Sequence, residues 1–215
     1  MIVALIAAGA VAEVVTWRLV VAGRVTVWIG MGVTMGVLGV LSLLTGREHL
    51  SPKVAPVAAV LVGLATGIAL FAATRVFVRI AAEWEPFRRH TVAIYRNRSS
   101  MPLPAALAVA MGLSAPGEEL FWRGLAGGRF ATATGALLAG ALLAFAGYVL
   151  ACAASANIAV VAGALVGGGL WSLLFVWTGG VLAGVCSHVA FTGLMVALPP
   201  PVARAGPRSA QGVAT

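Results

Sequence analysis

The sequence predicts an all-α fold, a polytopic transmembrane bundle of about seven helices, with six to eight as the range. Three observations predict it. Hydrophobic residues make up 61% of the 215 positions and charged residues 9%, where a soluble domain carries about 25% charged. So few charges cannot cover a water-facing surface, and the mean hydropathy of +1.03 agrees. No Asp, Glu, Lys or Arg occurs from Phe130 to Ala203. A crossing needs roughly 20 apolar residues, so that stretch alone holds about three. The 27 glycines fit the same class, because small residues let membrane helices approach closely.

Taken in order, the apolar segments are Met1–Ala22, Val25–Thr45, Val54–Thr74, Leu103–Leu125, Ala131–Cys152, Ile158–Val176 and Val181–Leu198. Glu13 and Arg18 interrupt the first, where they are expected to snorkel to an interface or pair within the bundle. A polar turn, Gly46–Lys53, separates the second and third. Arg75–Ser100 reads as a basic connection whose first part forms an interfacial helix, with Arg75, Arg79 and Glu83 on one face at four-residue spacing. Pro199, Pro200 and Pro201 stop the last helix. The division that follows is residues 1–100 as N-terminal membrane helices and basic connection, 101–201 as the core, and 202–215 as a disordered tail.

The net charge of +8 does not point to nucleic acid. Arg75, Arg79, Arg88, Arg89, Arg96 and Arg98 are concentrated in one connection between apolar runs. This is the signature of a cytoplasmic loop against anionic lipid headgroups. Counting crossings from that loop puts the C-terminus inside and the N-terminus outside. Cys152 and Cys186 lie in apolar segments without CxxC spacing and read as small buried hydrophobes. The start MIVALIAAGAVAE lacks the basic region of a cleaved signal and reads as a first membrane helix.

Ionisable groups at membrane depth are expensive and therefore informative. Glu118 and Glu119 head the cluster Gly117-Glu118-Glu119-Leu120-Phe121-Trp122-Arg123-Gly124. On a helix, Glu119 and Arg123 share a face, whereas Glu118 is rotated by about 100°. One carboxylate can be held by the arginine while the other faces a cavity and acts as a general base toward water. The competing structural reading is a plain interfacial Glu–Arg pair. Pro116 and Gly117 loosen the helix at this point. His188 stands in the last segment with Thr192 one turn on, as a metal ligand, an oxyanion donor or a packing residue. His49 and His90 read as ordinary loop histidines, Tyr148, Ser155 and Asn157 as turn or capping residues, and Trp171 and Trp177 as an aromatic belt.

These residues resemble the CAAX-protease and bacteriocin-processing (CPBP, or Abi) family of intramembrane proteases. Glu118-Glu119-Leu120-Phe121-Trp122-Arg123-Gly124 is similar to the family's EExxxR motif. Trp177-Thr178-Gly179-Gly180-Val181-Leu182 leading to His188 is similar to its last motif. The resemblance covers about Pro102–Pro201. It implies an intramembrane endopeptidase of the bacterial cell membrane, acting on a membrane-associated peptide or protein. Glu118 then activates water, Glu119 and Arg123 hold charge and geometry, and His188 binds a metal or stabilises the oxyanion, with Thr192 as its polar companion. A zinc ion is the implied cofactor, with Glu118 and His188 as ligands. The family's middle motif brings a further histidine, but Leu143–Asn157 has none, and Val149 or Ala151 stands in its place. A catalytic zinc site has three protein ligands, so a catalytically degenerate relative that binds a membrane peptide or protein stays open. So does a small proton-coupled transporter using Glu118 and Glu119.

Overall fold

The computed structural model describes residues 2–45, 49, 51–96 and 100–204. Described residues form helices and connections, with no strand among them. Helix α1 is Ile2–Val21, α2 Val27–Thr45, α3 Pro56–Ala81 and α4 Glu85–Arg96. Helix α5 runs without a break over residues 103–134, as Leu103–Val109, Ala110–Ser114, Ala115–Glu118, Glu119–Gly127 and Gly128–Thr134. Then follow α6 Leu137–Ala153, α7 Ile158–Thr178, α8 Leu182–Ala197 and the single turn α9 Pro201–Arg204. The protein is a membrane-embedded, multi-pass helical bundle. Helices α1, α2, α3 and α7 have the length and apolar composition to cross a bilayer, and α6 and α8 are shorter apolar helices.

Several boundaries differ from the sequence reading for identifiable reasons. Helix α3 does not stop at Thr74. Nothing breaks it at Arg75, whose guanidinium lies over Phe71 and donates to the Leu198 carbonyl at the helix end. The amphipathic interfacial helix is therefore α4, not the segment beginning at Arg75. Helix α5 continues past Leu125 until Gly135 takes φ +71°, which glycine adopts without a Cβ penalty, and this delays the start of α6. Helix α9 forms the first turn of the segment read as a tail, and residues 205–215 lie outside the described residues, as do Gly46–Glu48 and Arg98.

Antiparallel connections sort the chain into two ends. The α1–α2, α3–α4, α6–α7 and α8–α9 connections share the end where α4 lies. His90 ties α4 down there: its Nδ1 accepts the Ile158 amide at 2.9 Å and its carbonyl accepts Asn157 Nδ2 at 3.1 Å. His90 is thus a helical residue that docks α4 on α7, not a loop histidine. Asn157 caps α7 as expected, its Oδ1 accepting from the Ala159 and Val160 amides. At the opposite end, the His49 carbonyl accepts the Val181 amide and the Lys53 amide donates to Thr178.

Glycines set two close crossings. A Cβ on Gly117 would stand 2.1 Å from the Met35 carbonyl oxygen, so α5 lies directly on the α2 backbone. On α3, Gly63 and Gly67 face the Ala183 and Ser187 carbonyls of α8, with a Cβ meeting them at 2.5 and 2.4 Å. That four-residue spacing of small residues brings two membrane helices into backbone contact. Thr66 between them donates to Ser187 Oγ at 3.2 Å. The helix that carries His188 is therefore seated on α3.

Candidate active site in the helix bundle

Helix α5 places the paired glutamates inside the bundle. Pro116 has no amide hydrogen and cannot complete the ordinary ladder. The flanking stretches Ala110–Ser114 and Glu119–Gly127 take π-helical hydrogen bonding, a geometry frequent at functional sites. The expected loosening is thus a change of ladder within a continuous helix.

Glu119 is fully buried, and so, nearly, are Arg123 and His188. Glu119 Oε1 accepts from Arg123 Nη1 at 3.2 Å and pairs with His188 Nδ1 at 3.0 Å. The other Arg123 nitrogen, Nη2, donates to the Gly168 carbonyl at 2.9 Å. Its guanidinium also lies over the Tyr148 ring at 4.7 Å. The His188 ring stacks on Trp171, with centroids 3.5 Å apart and planes at 15°. Gly184 makes the approach possible: it precedes His188 by one turn, and a Cβ there would meet Glu119 Oε2 at 2.8 Å.

Glu118 points elsewhere, as the helical rotation predicts. It is only partly buried, makes no ion pair among the described residues, and lies within interaction range of the Tyr148 phenol, His188, Glu13 and Glu119. The structure thus gathers Glu118, Glu119, Arg123 and His188 in one region. Thr192 lies one turn beyond, on the wall of a large apolar cavity.

Sequence reasoning missed two members, Tyr148 and Trp171. Glu13, expected to snorkel or to pair within the bundle, does the latter and is fully buried. Its Oε2 accepts from Trp122 Nε1 at 2.8 Å and its Oε1 from the Cys152 thiol at 3.7 Å. Tyr148, read as a turn residue, is the group that α6 turns toward Glu118, while Val149 packs into the apolar core. Trp171, read as belt, is a buried platform for His188. The available signal for Glu13 was its cost, since a carboxylate in an otherwise apolar span needs a partner.

Buried polar atoms without a partner mark where a small polar guest fits. Among the described residues these include Glu119 Oε2, Arg123 Nε, Trp171 Nε1 and Ser172 Oγ, all on the residues around this cluster or next to them in sequence. Zinc fits less well. No group of three or more His, Cys, Asp or Glu side chains is gathered among the described residues. The His188 Nδ1 is also already engaged by Glu119. The donor set among the described residues does not make a three-ligand zinc site.

The family model described as type II CAAX prenyl endopeptidase Rce1-like matches residues 100–194. The matched segment is thus similar to that family, and it carries Glu118, Glu119, Arg123, Tyr148, Trp171, His188 and Thr192. It leaves Glu13 and helix α3 outside. Comparison with curated proteins gave no match, and comparison with solved structures gave none.

Proposed function

We propose that the protein is an intramembrane endopeptidase in which Glu118 takes the proton from an attacking water. The observation that carries this reading is the division of labour between adjacent carboxylates. Glu119 Oε1 is committed to Arg123 and His188, whereas Glu118 has no cation partner among the described residues and keeps some exposure. A general base has to be free to accept a proton and reachable by water. With Nδ1–H donated to Glu119, His188 in its imidazolium form presents a second N–H, at Nε2, to the substrate, where it donates to the developing oxyanion. Arg123 holds the Glu119 carboxylate in place. The water adds to the peptide carbonyl, the C–N bond breaks, and the proton taken by Glu118 passes to the amine, so no covalent enzyme intermediate forms.

The substrate class is a membrane-associated peptide or protein. The family description names a CAAX prenyl endopeptidase, so a prenylated C-terminal peptide is the first substrate to test, with an unprenylated membrane-anchored peptide beside it. Purified protein in vesicles, Glu118→Gln and His188→Ala are compared for fragment release. Turnover by the parent and its loss in both variants, at equal folded protein, supports the reading. Full turnover in both variants removes it.

A second reading is favoured by the middle-motif position, where Val149 stands in the core and no third metal-type ligand is gathered among the described residues. On that reading the protein binds a membrane peptide or protein without cleaving it. Binding of the same peptides with no fragment from the parent protein selects it.

A further inference from the structure

Beside the polar cluster, toward the α4 end, lies an apolar cavity of about 460 Å³. Its floor is Gly167 and Phe191. Gly167 adjoins Gly168, whose carbonyl holds Arg123, and Phe191 packs on Trp171 with centroids 6.1 Å apart. Its roof is α4, which turns Phe87, Thr91, Ile94 and Tyr95 into it. These four share one helical face, and Phe87 is locked edge-on against Phe77 of α3 at 5.5 Å. Phe77 and Val166 line the cavity and are also exposed on the bundle surface. The cavity therefore opens sideways between α3 and α7, toward bilayer hydrocarbon.

The opposite face of α4 is basic. Arg88 and Arg89 have side chains 47% and 69% exposed. Glu85 pairs with Arg88 and lies 3.9 Å from Arg89, and Glu83 is the other acidic residue nearby. Against them stand Arg24, within a turn of the cavity-lining Val27 and Trp28, and Arg79 at the end of α3, both exposed. The sum at this end of the bundle is positive.

We propose that this cavity is a binding site for one anionic phospholipid, an acyl chain lying under α4 and the phosphate resting on the exposed arginines of α4 and of the end of α3. The site does not rest on the peptidase reading. An acyl chain leaving the bilayer for an apolar cavity exchanges one hydrocarbon surrounding for another, so the cavity supplies shape but little drive. Discrimination comes from the headgroup. Each net positive charge near an anionic surface is worth about 1 kcal/mol, so Arg88 and Arg89, sharing Glu85, give a preference of about 5-fold for anionic over zwitterionic lipid. The charge on α4 selects the occupant, and the apolar face beneath it orients the chain.

The test is native mass spectrometry of the full chain, washed in detergent and then exposed to vesicles of phosphatidylcholine with phosphatidylglycerol. A farnesylated cysteine peptide is offered as competitor. Gly163 lines the cavity, and a Cβ there meets nothing within 4 Å, so Gly163→Phe fills the space without a clash at the backbone. Ala73→Phe fills it from α3 should the first variant fail to fold. The expected result is one retained phosphatidylglycerol per chain, lost in the filled variant. The charge variant R88Q/R89Q keeps a bound lipid but loses the anionic preference. Equal retention of both lipids by the parent, unchanged retention in the filled variants, or displacement of lipid by the farnesylated peptide each overturns the proposal.

Discussion

Glu119 Oε1 and His188 Nδ1 meet at 3.0 Å across 69 residues of sequence. That contact joins α5 to α8 and leaves the second imidazole nitrogen for other use. Arg123 shares the same carboxylate oxygen, so three ionisable groups are arranged around one atom in a site without bulk water.

Replacing His188 by Ala removes the donor aimed at the substrate and leaves Glu119 with Arg123. On the peptidase reading, fragment release falls about 100- to 1000-fold, the usual effect of losing one oxyanion donor. A cleavage assay in vesicles, normalised to folded protein, measures it. Activity within tenfold of the parent contradicts the assignment.

Glu118→Gln and Glu119→Gln are predicted to separate chemistry from folding. Glu119→Gln leaves the Arg123 charge buried without its counterion, which costs about 3–5 kcal/mol. Glu118→Gln breaks no ion pair. Thermal denaturation in detergent is expected to show a lowered midpoint for Glu119→Gln only, while fragment release is lost in Glu118→Gln.

Trp122→Phe deletes the 2.8 Å donor to Glu13 and keeps the aromatic packing. A buried acceptor that loses its partner costs about 1–3 kcal/mol. The variant is expected to unfold at a lower temperature than the parent. Combining it with Glu13→Gln should recover part of the loss, because the neutral amide tolerates the site better than a carboxylate. An unchanged midpoint for Trp122→Phe would show that the indole contributes nothing to holding Glu13.

Gly67→Val inserts a branched side chain where a Cβ already meets the Ser187 carbonyl at 2.4 Å. The α3 and α8 backbones then have to separate, and His188 moves with α8. Both folded yield and His188-dependent cleavage are expected to drop together. Gly112→Val on α5, where a Cβ meets nothing within 4 Å, is the control, expected to leave both unchanged.

Chelation provides a further check. Because no three-ligand group is gathered among the described residues, cleavage is expected to persist after treatment with a zinc chelator. Loss of activity on chelation and its recovery with added zinc would count against the metal-free route.

The fold and much of the site were legible in the sequence, for physical reasons that differ by residue. Apolar length located the crossings, since a bilayer of about 30 Å sets the helix length directly. Helix period placed Glu119 with Arg123 and turned Glu118 away, because those relations are local. What lay beyond reach was the crossing geometry. Tyr148 faces Glu118 only because α6 packs along α5, and Glu13 joins the site through Trp122 and Cys152, 109 and 139 residues away. Helix ends were also missed where no breaker stands. The apolar run Val76, Phe77 and Val78 carries α3 past Arg75, and α5 continues to Gly135.

Glu13 has a consequence for how the chain is made. Helix α1 leaves the ribosome before α5 and α6, and an acidic residue at the centre of a membrane helix costs about 2.5–3.5 kcal/mol on insertion. Its donors, Trp122 and Cys152, are synthesised more than a hundred residues later. Until then the Glu13 carboxylate lacks the partners it has in the folded bundle, so the docking of α1 is completed only once α5 and α6 are in place.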